Sequence, residues 1–414
     1  RCNHHLRNLL ETESDRHSDR RLKEKLGEEA SDFDQQARIE LKFQSYVYAL
    51  LKSFKRTSRD SYSKAGTAAI RSFFAKQDTK ERFLNLMMFA DLGRIVGSRQ
   101  DCIFRTAAQT FSLWKALPAY WADGIVESGE EEGLILKTSL EVRGTCCYFI
   151  AEHWFHALAW NMLFEPLRMI MGTEEDGKDY LATAPLFDEL YTLAETFQTD
   201  PEYLIRKLSD GEDFVFSDQW KTPKVDSLMA KRAKEGYDVA TQEKIVGSDM
   251  QSELREKLRE YYYDDAGWSE EDANEAEKEQ NAADAKAYMH RCMEDLGKAM
   301  IISLERSCYP LLSKMVGVKC NKKCGQCDRC KMNGVYSIGK QTLAMKLYSA
   351  LRVPHNNYSE SPFAIAKELR RLFPTMNLAT IEGLVLACQN KTFVRSETIT
   401  KKKATKFRKE GVFN

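Results

Sequence analysis

The chain has 414 residues, a length that predicts two or three domains. Hydrophobic residues make up 43% and charged residues 30%, which is typical of a globular protein, and no apolar run is long enough to span a bilayer. The net charge of zero conceals a split, because residues 311–414 carry 20 lysines and arginines against 6 aspartates and glutamates. The net charge of this segment is therefore +14, and the rest of the chain carries −14. A basic segment of this kind predicts an anionic partner, and nucleic acid is the favoured one. The alternatives are a solvated basic surface and docking of the segment on the chain's own acidic part.

Helical periodicity dominates the first half of the chain after a polar N-terminal segment, residues 1–30. Strand-like alternation is rare and only nine prolines occur, so we predict an all-α body over residues 31–219. Leu134–Met171 is the most apolar stretch, and we expect it to form the buried centre of the body with a break at Pro166. The helices predicted before it are Gln36–Phe54, Ala68–Phe74, Thr79–Ile95 and Gln100–Ala119.

A charged linker and acidic helix, residues 220–285, follow the body. Residues 220–250 are polar and weakly patterned, which predicts a linker or an extended surface segment, and Ser252–Tyr263 is predicted as a charged helix. Ser269, with an acidic residue three positions later, is typical of a helix N-cap, and the helix it begins is expected to run to about Leu304. Its second half turns apolar, so we expect it to pack into the next domain.

Eleven cysteines occur, and an odd, mostly scattered set argues against a disulfide framework and favours a reducing intracellular compartment. Three of them form a C-x2-C-x2-C run, and thiolates at this density among glycine and basic residues suit tetrahedral Zn2+. Zinc requires four ligands, and an iron–sulfur cluster is the alternative because its ligand runs are also short. The five clustered cysteines are Cys308, Cys320, Cys324, Cys327 and Cys330.

The segment from Cys308 to Gly317, with its Leu311-Leu312 pair, followed by Cys324-Gly-Gln-Cys327-Asp-Arg-Cys330, resembles the zinc-binding subdomain of RecQ-type DNA helicases. The resemblance covers about a quarter of the chain and does not extend to a helicase core. The nearest approach to a P-loop, Gly334–Thr342, has glutamine where that motif needs serine or threonine. Carried over residue by residue, the resemblance implies zinc ligands at Cys308, Cys324, Cys327 and Cys330, with Cys320 as the substitute ligand.

In that family a winged helix that contacts duplex DNA follows the zinc platform. The resemblance therefore implies a zinc-binding subdomain over residues 286–335 and a basic winged-helix-like module over residues 336–414, with Thr392–Val412 as a two-stranded wing. The helices predicted for it are Ser337–Leu351, Ser361–Phe373 and Leu378–Cys388. Its basic side chains are candidate phosphate contacts. These candidates are Lys322, Lys323, Arg329, Lys331, Arg370, Arg371, Lys401, Lys402, Lys403, Lys406 and Arg408.

The sequence thus predicts a mainly α nucleic-acid-binding protein, DNA favoured, that holds Zn2+ and uses its helical body for assembly or partner contacts. The basic run at residues 401–409 also fits a nuclear localisation signal, which favours a nuclear location. One alternative is a viral or mobile-element protein that coats nucleic acid as an oligomer. Another is an enzyme with a site in the helical body near His153 and His156, although buried histidines that are satisfied by backbone or carboxylate groups are the favoured explanation of this spacing.

Overall fold

The computed structural model is mainly helical over the part of the chain that it describes, with one short antiparallel pair of strands. The mainly α prediction is confirmed at this level. Among the described residues, no helix is long and apolar enough to cross a membrane. The described residues are 3–26, 42–53, 101–111, 140–171, 180–212, 214–223, 225–227, 236–238, 243–245, 250–269, 273–319, 327–342, 377 and 380–381.

The bounds of the elements are as follows. The helices are α1 (Asn3–Leu26), α2 (Phe43–Ser53), α3 (Asp101–Phe111), α4 (Cys147–Ala159), α5 (Glu165–Met171), α6 (Ala184–Thr199), α7 (Tyr203–Ser209), α8 (Met250–Tyr263), α9 (Glu275–Ser307) and α10 (Asp328–Met332). Residues 140–145 are helical as well. The strands are β1 (Gly236–Asp238) and β2 (Glu243–Ile245), which pair Tyr237 with Lys244. Single 3-10 turns occur at Tyr180–Thr183, Asp218–Trp220, Asp265–Trp268, Ser313–Met315 and Ile338–Lys340.

Helix α9 lies at the centre of the fold and packs against α1, α4 and α6. Its inward side chains are buried along most of its length, from Ala282 to Leu304. Gly297 lets α6 approach closely, because a Cβ atom there would overlap the carbonyl oxygen of Ala194 and lie 3.0 Å from Gln198 Cγ. The crossing of α6 and α9 therefore requires a residue without a side chain at position 297.

The expected break at Pro166 is a π-helical turn, Trp160–Phe164, which joins α4 to α5. Proline has no N–H to donate, and its ring clashes with the carbonyl four residues earlier in a regular α-helix. Here the N–H of Glu165 bonds the carbonyl of Trp160, five residues back, so the turn is widened just before the proline. The helical path continues, and every side chain from Phe149 to Leu167 is buried, as predicted for the centre of the body.

The N-terminus of α9 differs from the prediction. The helix begins after Asn274, whose side-chain oxygen accepts a hydrogen bond of 3.0 Å from the N–H of Glu277, and not after Ser269. The Asn274 cap with a glutamate three residues later follows the capping-box pattern. Ser269 instead accepts a hydrogen bond from the side chain of Asn281, across 3.0 Å.

One hydrophobic core runs through the described residues and into the cysteine-rich region. It includes the second half of α9 and continues to Cys308, Leu311, Leu312 and Met315. Helix α9 therefore crosses the expected division between residues 285 and 286, and residues 286–307 pack with the helical body. The C-terminal region starts on this core, without a linker between the two.

The other predicted elements have mixed outcomes. Helices α2, α3 and α8 confirm the helices expected around residues 36–54, 100–119 and 252–263, with shorter or shifted ends. The helices expected at 68–74 and 79–95 lie outside the described residues. The segment 220–250 contains the β1–β2 pair, which its weak patterning does not predict.

Candidate metal centre and nucleic-acid interface

The described cysteines of the predicted zinc site lie at the ends of two helices. Cys308 follows the last turn of α9, where its N–H donates to the carbonyl of Leu304 across 2.7 Å, and its side chain is buried. Cys327 is the N-cap residue of α10, and Cys330 lies in the first turn of that helix. Cysteines three residues apart, together with cysteines from another segment, are a common source of zinc ligands.

Three hydrogen bonds hold the segments after Cys308 and after Cys330 side by side. The N–H of Gly334 donates to the carbonyl of Tyr309 across 2.9 Å, and the N–H of Tyr336 donates to that of Pro310 across 2.7 Å. The side-chain amide of Asn333 donates to the carbonyl of Val318 across 2.6 Å. These bonds join the two cysteine-bearing segments into one unit, residues 308–319 and 327–342, which we call the cysteine-rich unit.

Two glycines permit this arrangement. Gly334 has φ +66°, and a Cβ atom there would lie 2.8 Å from the backbone nitrogen of Val316, so a larger residue would separate the segments. Gly317 has φ +75° and provides the turn between Val316 and Val318. Both torsions lie in the left-handed region that glycine adopts without strain.

The cysteine-rich unit is fixed to the body by polar contacts as well as by the shared core. The N–H and the hydroxyl of Ser313 donate to the carboxylate of Asp188 in α6 across 2.8 Å and 2.6 Å. Lys314 pairs with Glu195 in the same helix. The side chain of Gln341 donates to the carbonyl of Leu181 across 3.0 Å. The orientation of the unit is therefore set at three places, two on α6 and one on the 3-10 turn before it.

The described residues include three of the five candidate zinc ligands, Cys308, Cys327 and Cys330. No group of three histidine, cysteine, aspartate or glutamate side chains suited to a metal forms within the described residues, and two of the five candidate ligands, Cys320 and Cys324, lie outside them. Burial raises the pKa of the Cys308 thiol to about 12, so a metal that binds there displaces a proton. The four-ligand zinc site stays a prediction.

Only two of the predicted phosphate contacts are among the described residues. Lys331 is exposed. Arg329 is exposed as well, but its guanidinium lies 5.5 Å above the ring of Tyr309 and donates to the carbonyl of Glu305, so it also secures α10 to the end of α9. Lys319 and Lys340, two further exposed lysines of the unit, were not among the sequence candidates. The candidates outside the described residues are Lys322, Lys323, Arg370, Arg371, Lys401, Lys402, Lys403, Lys406 and Arg408.

Within the predicted winged-helix region, residues 336–414, the structure describes residues 336–342, 377 and 380–381. The helix expected from Ser337 does not begin there, because Ile338–Lys340 is a 3-10 turn and Gln341 is extended. The third expected helix, Leu378–Cys388, does have a helical start, since the side-chain oxygen of Asn377 accepts from the N–H of Thr380 across 2.8 Å. The second helix and the wing lie outside the described residues.

His153 and His156 are both fully buried in the body. The ring of His153 bonds the Ala107 carbonyl and the Thr110 hydroxyl, and burial lowers its pKa to about 3, so it is neutral near pH 7. The ring of His156 bonds the carbonyl of Glu152 and stacks on Phe43 at 4.2 Å. Packing of this kind is what a structural histidine requires, and it favours the structural interpretation over an acid–base pair.

A buried ion cluster in the body was not predicted from the sequence. Arg21 of α1 donates to Glu152 of α4 across 2.7 Å and to Asp295 of α9 across 3.0 Å, and all three side chains are almost completely buried. Burial alone would raise the pKa of both carboxyl groups, yet the guanidinium brings each below its ordinary value. The thiol of Cys292 donates to the second oxygen of Glu152 across 3.3 Å. The cluster thus fastens the polar helix α1 to the centre of the body.

Comparisons with protein-family models, with curated proteins and with solved structures gave no match for this chain.

Proposed function

We propose that this protein binds nucleic acid, DNA in preference, through its basic C-terminal region, and that Zn2+ held by Cys308, Cys324, Cys327 and Cys330 stabilises that region. The observation that carries the proposal is the charge division, since residues 311–414 hold a net +14 against −14 in the rest of the chain. Such a concentration of cations attracts a polyanion by releasing its condensed counterions.

Two features of the cysteine-rich unit support the proposal. Its cysteines lie at helix ends within hydrogen-bonded segments, which is a suitable setting for a structural metal. Its contacts with α6 fix its orientation, so a basic surface that it carries is presented on a rigid base. Rigid presentation lowers the entropy lost when a partner binds.

The first experiment measures metal and affinity on the purified full-length chain. We expect one zinc per chain by elemental analysis, and binding of a labelled duplex that weakens as salt is raised. If about five phosphates are contacted, the logarithm of the affinity falls with the logarithm of salt concentration at a slope of about −4.5. A chain without zinc contradicts the metal assignment, and a chain that binds no nucleic acid at low salt contradicts the function.

A matched pair of variants locates the contact. Neutralising Lys401, Lys402, Lys403, Lys406 and Arg408 together should flatten the salt slope. Neutralising five exposed cations of the body should leave it unchanged, and these are Arg16, Arg20, Lys23, Arg206 and Lys221. Equal effects of the two variants would assign the binding to net charge alone, not to the C-terminal region.

A further inference from the structure

The cysteine-rich unit exposes aliphatic side chains next to its lysines. Val316, Val318 and Ile338 have 43%, 40% and 50% of their surface exposed, and they are three of the five large hydrophobic residues exposed in the described part of the chain. We call these three residues the aliphatic strip. Large apolar side chains that gather on one small surface mark an interaction site more often than isolated ones do.

The three residues of the strip lie in the two hydrogen-bonded segments of one unit. Gly334 packs against Val316, and the carbonyl of Val318 receives the side chain of Asn333, so the two segments of the unit lie together. Ile338 follows in the turn that starts when the N–H of Ser337 bonds the carbonyl of Gly334 across 3.1 Å. Gly317 forms the turn that places one valine on each side of it. The strip is therefore displayed by hydrogen-bonded backbone.

The unit that carries the strip also carries exposed cations. Lys319, Lys331 and Lys340 are exposed, and within the described residues none of them forms an ion pair. By contrast, the nearby Lys314 is paired with Glu195. From residue 311 to 342 the sequence has 7 lysines and arginines and a single acid, Asp328. The surface thus combines cations available for phosphate with aliphatic groups available for an apolar contact.

We propose that the aliphatic strip and the three exposed lysines of the same unit form a direct contact surface for duplex DNA, with the lysines on phosphates and the strip against the sugars and base edges of a groove. Charge complementarity selects this partner, and the inference rests on the proposed function. DNA-binding proteins divide their contacts in this manner, since phosphate contacts position the protein while apolar groups meet bases and sugars. An apolar contact releases no phosphate counterions, so the lysines should determine the salt dependence of the affinity, whereas the aliphatic strip should change the affinity without changing that dependence.

The test is a salt titration of duplex binding by full-length variants. Replacing Lys319, Lys331 and Lys340 with glutamine should flatten the slope by about 2.7, at about 0.9 for each phosphate that is no longer neutralised. V318S combined with I338S should weaken binding by roughly tenfold at every salt concentration with the slope unchanged, because only apolar burial is removed. Ile302, 47% exposed on α9, supplies the matched control, and I302S should leave affinity unchanged.

The outcomes separate this proposal from the proposed function. If the wild-type chain binds duplex DNA and only the variant at residues 401–408 alters the slope, the strip surface is not a contact site although the function stands. If V318S with I338S lowers thermal stability and opens the chain after Thr342 to protease, the strip is covered by the chain's own C-terminal segment and the proposal is overturned. If the V318S/I338S double variant binds duplex DNA more weakly than I302S and keeps the wild-type melting temperature, the proposal holds.

Discussion

Replacing Arg21 with methionine removes the cation at the centre of the buried ion cluster while keeping a side chain of similar length. The guanidinium is the group that the structure places between Glu152 and Asp295, at 2.7 Å and 3.0 Å. Without it, the body retains two carboxyl groups in a site with almost no access to water. Removing one partner of a buried ion pair commonly costs about 3–5 kcal/mol of folding free energy.

The magnitude can be worked out from the fate of Glu152. In the variant this carboxyl group either stays charged without its guanidinium or takes up a proton. Protonating at pH 7 a group whose ordinary pKa is 4.5 costs about 3.4 kcal/mol, at about 1.4 kcal/mol per pH unit. Because Glu152 can always take up a proton instead of staying charged, this cost is the upper limit of the folding free energy lost at that residue. Asp295 keeps the ammonium of Lys298 at 3.1 Å, so it adds less. We therefore expect a loss of about 3–5 kcal/mol at pH 7.

The pH dependence gives the sharper test. In the folded wild type the pKa values of Glu152 and Asp295 are lower than in the unfolded chain. Their ionised forms therefore stabilise the fold at any pH above the unfolded-state pKa, and this stabilisation is lost as pH falls through the folded-state pKa. In the variant, burial without the cation raises the folded pKa of Glu152 above the unfolded value, so stability increases as pH falls from 7 toward 5. Protonation at pH 5 costs only about 0.7 kcal/mol, and the two stability curves should converge.

Urea unfolding followed by circular dichroism at several pH values measures both quantities. Arg20→Met is the matched control, because Arg20 is the preceding residue of α1, is 54% exposed and lies 3.9 Å from Asp295. Because the Arg20 guanidinium stays hydrated, we expect its contribution to be close to that of an exposed pair, about 0.2–1 kcal/mol, without a strong pH dependence. Equal losses in the two variants, or a loss for Arg21→Met that does not change between pH 7 and 5, would refute the reasoning.

Three further predictions concern the metal and the helices. Cys327→Ser should abolish zinc binding, and hydrogen exchange should then show residues 308–342 opening more readily than the body. A variant that still binds one zinc would exclude Cys327 as a ligand. Gly297→Ala should lower the melting temperature, because the new Cβ would overlap the Ala194 carbonyl, although alanine favours the helix by about 1 kcal/mol over glycine. Gly339→Ala is the control and should leave the melting temperature unchanged, since no atom lies within 4 Å of its new Cβ. Asn274→Ala should cost about 1 kcal/mol in urea unfolding through loss of the α9 cap, and no change would mean that another group caps the helix.

Apolar periodicity was sufficient to predict the helical class and the buried centre, but not α1. Among the side chains of α1 that the structure describes, the buried ones follow helical spacing, and two of the four, Ser18 and Arg21, are polar. A sequence pattern counts an arginine as a surface residue, because the carboxylates that neutralise it lie 131 and 274 residues away. Long-range charge pairing is therefore the information that periodicity lacks.

The cysteine-rich unit shows the same limit in another form. Cysteine spacing predicts a metal site from local sequence, and the described helix ends at Cys308 and Cys327 are compatible with it. Spacing does not predict that Gly334 must lie against Val316, or that lysines outside the candidate set flank exposed valines. Those relations depend on hydrogen bonds between residues distant in sequence, such as Gly334 and Tyr309, which are 25 positions apart.

Helix α9 connects the two polar features of the structure. Asp295 binds Arg21 near the middle of the helix, and Cys308 follows its last turn, 13 residues later or about 20 Å along the axis. Between them the helix is held by buried contacts with α4 and α6, so it behaves as a rigid rod. Because Cys308, the proposed metal ligand, and the ion cluster are attached to the same helix, the position of the cysteine-rich unit is set by the packing of the body. A DNA-contacting surface on that unit would then have a fixed direction relative to the body.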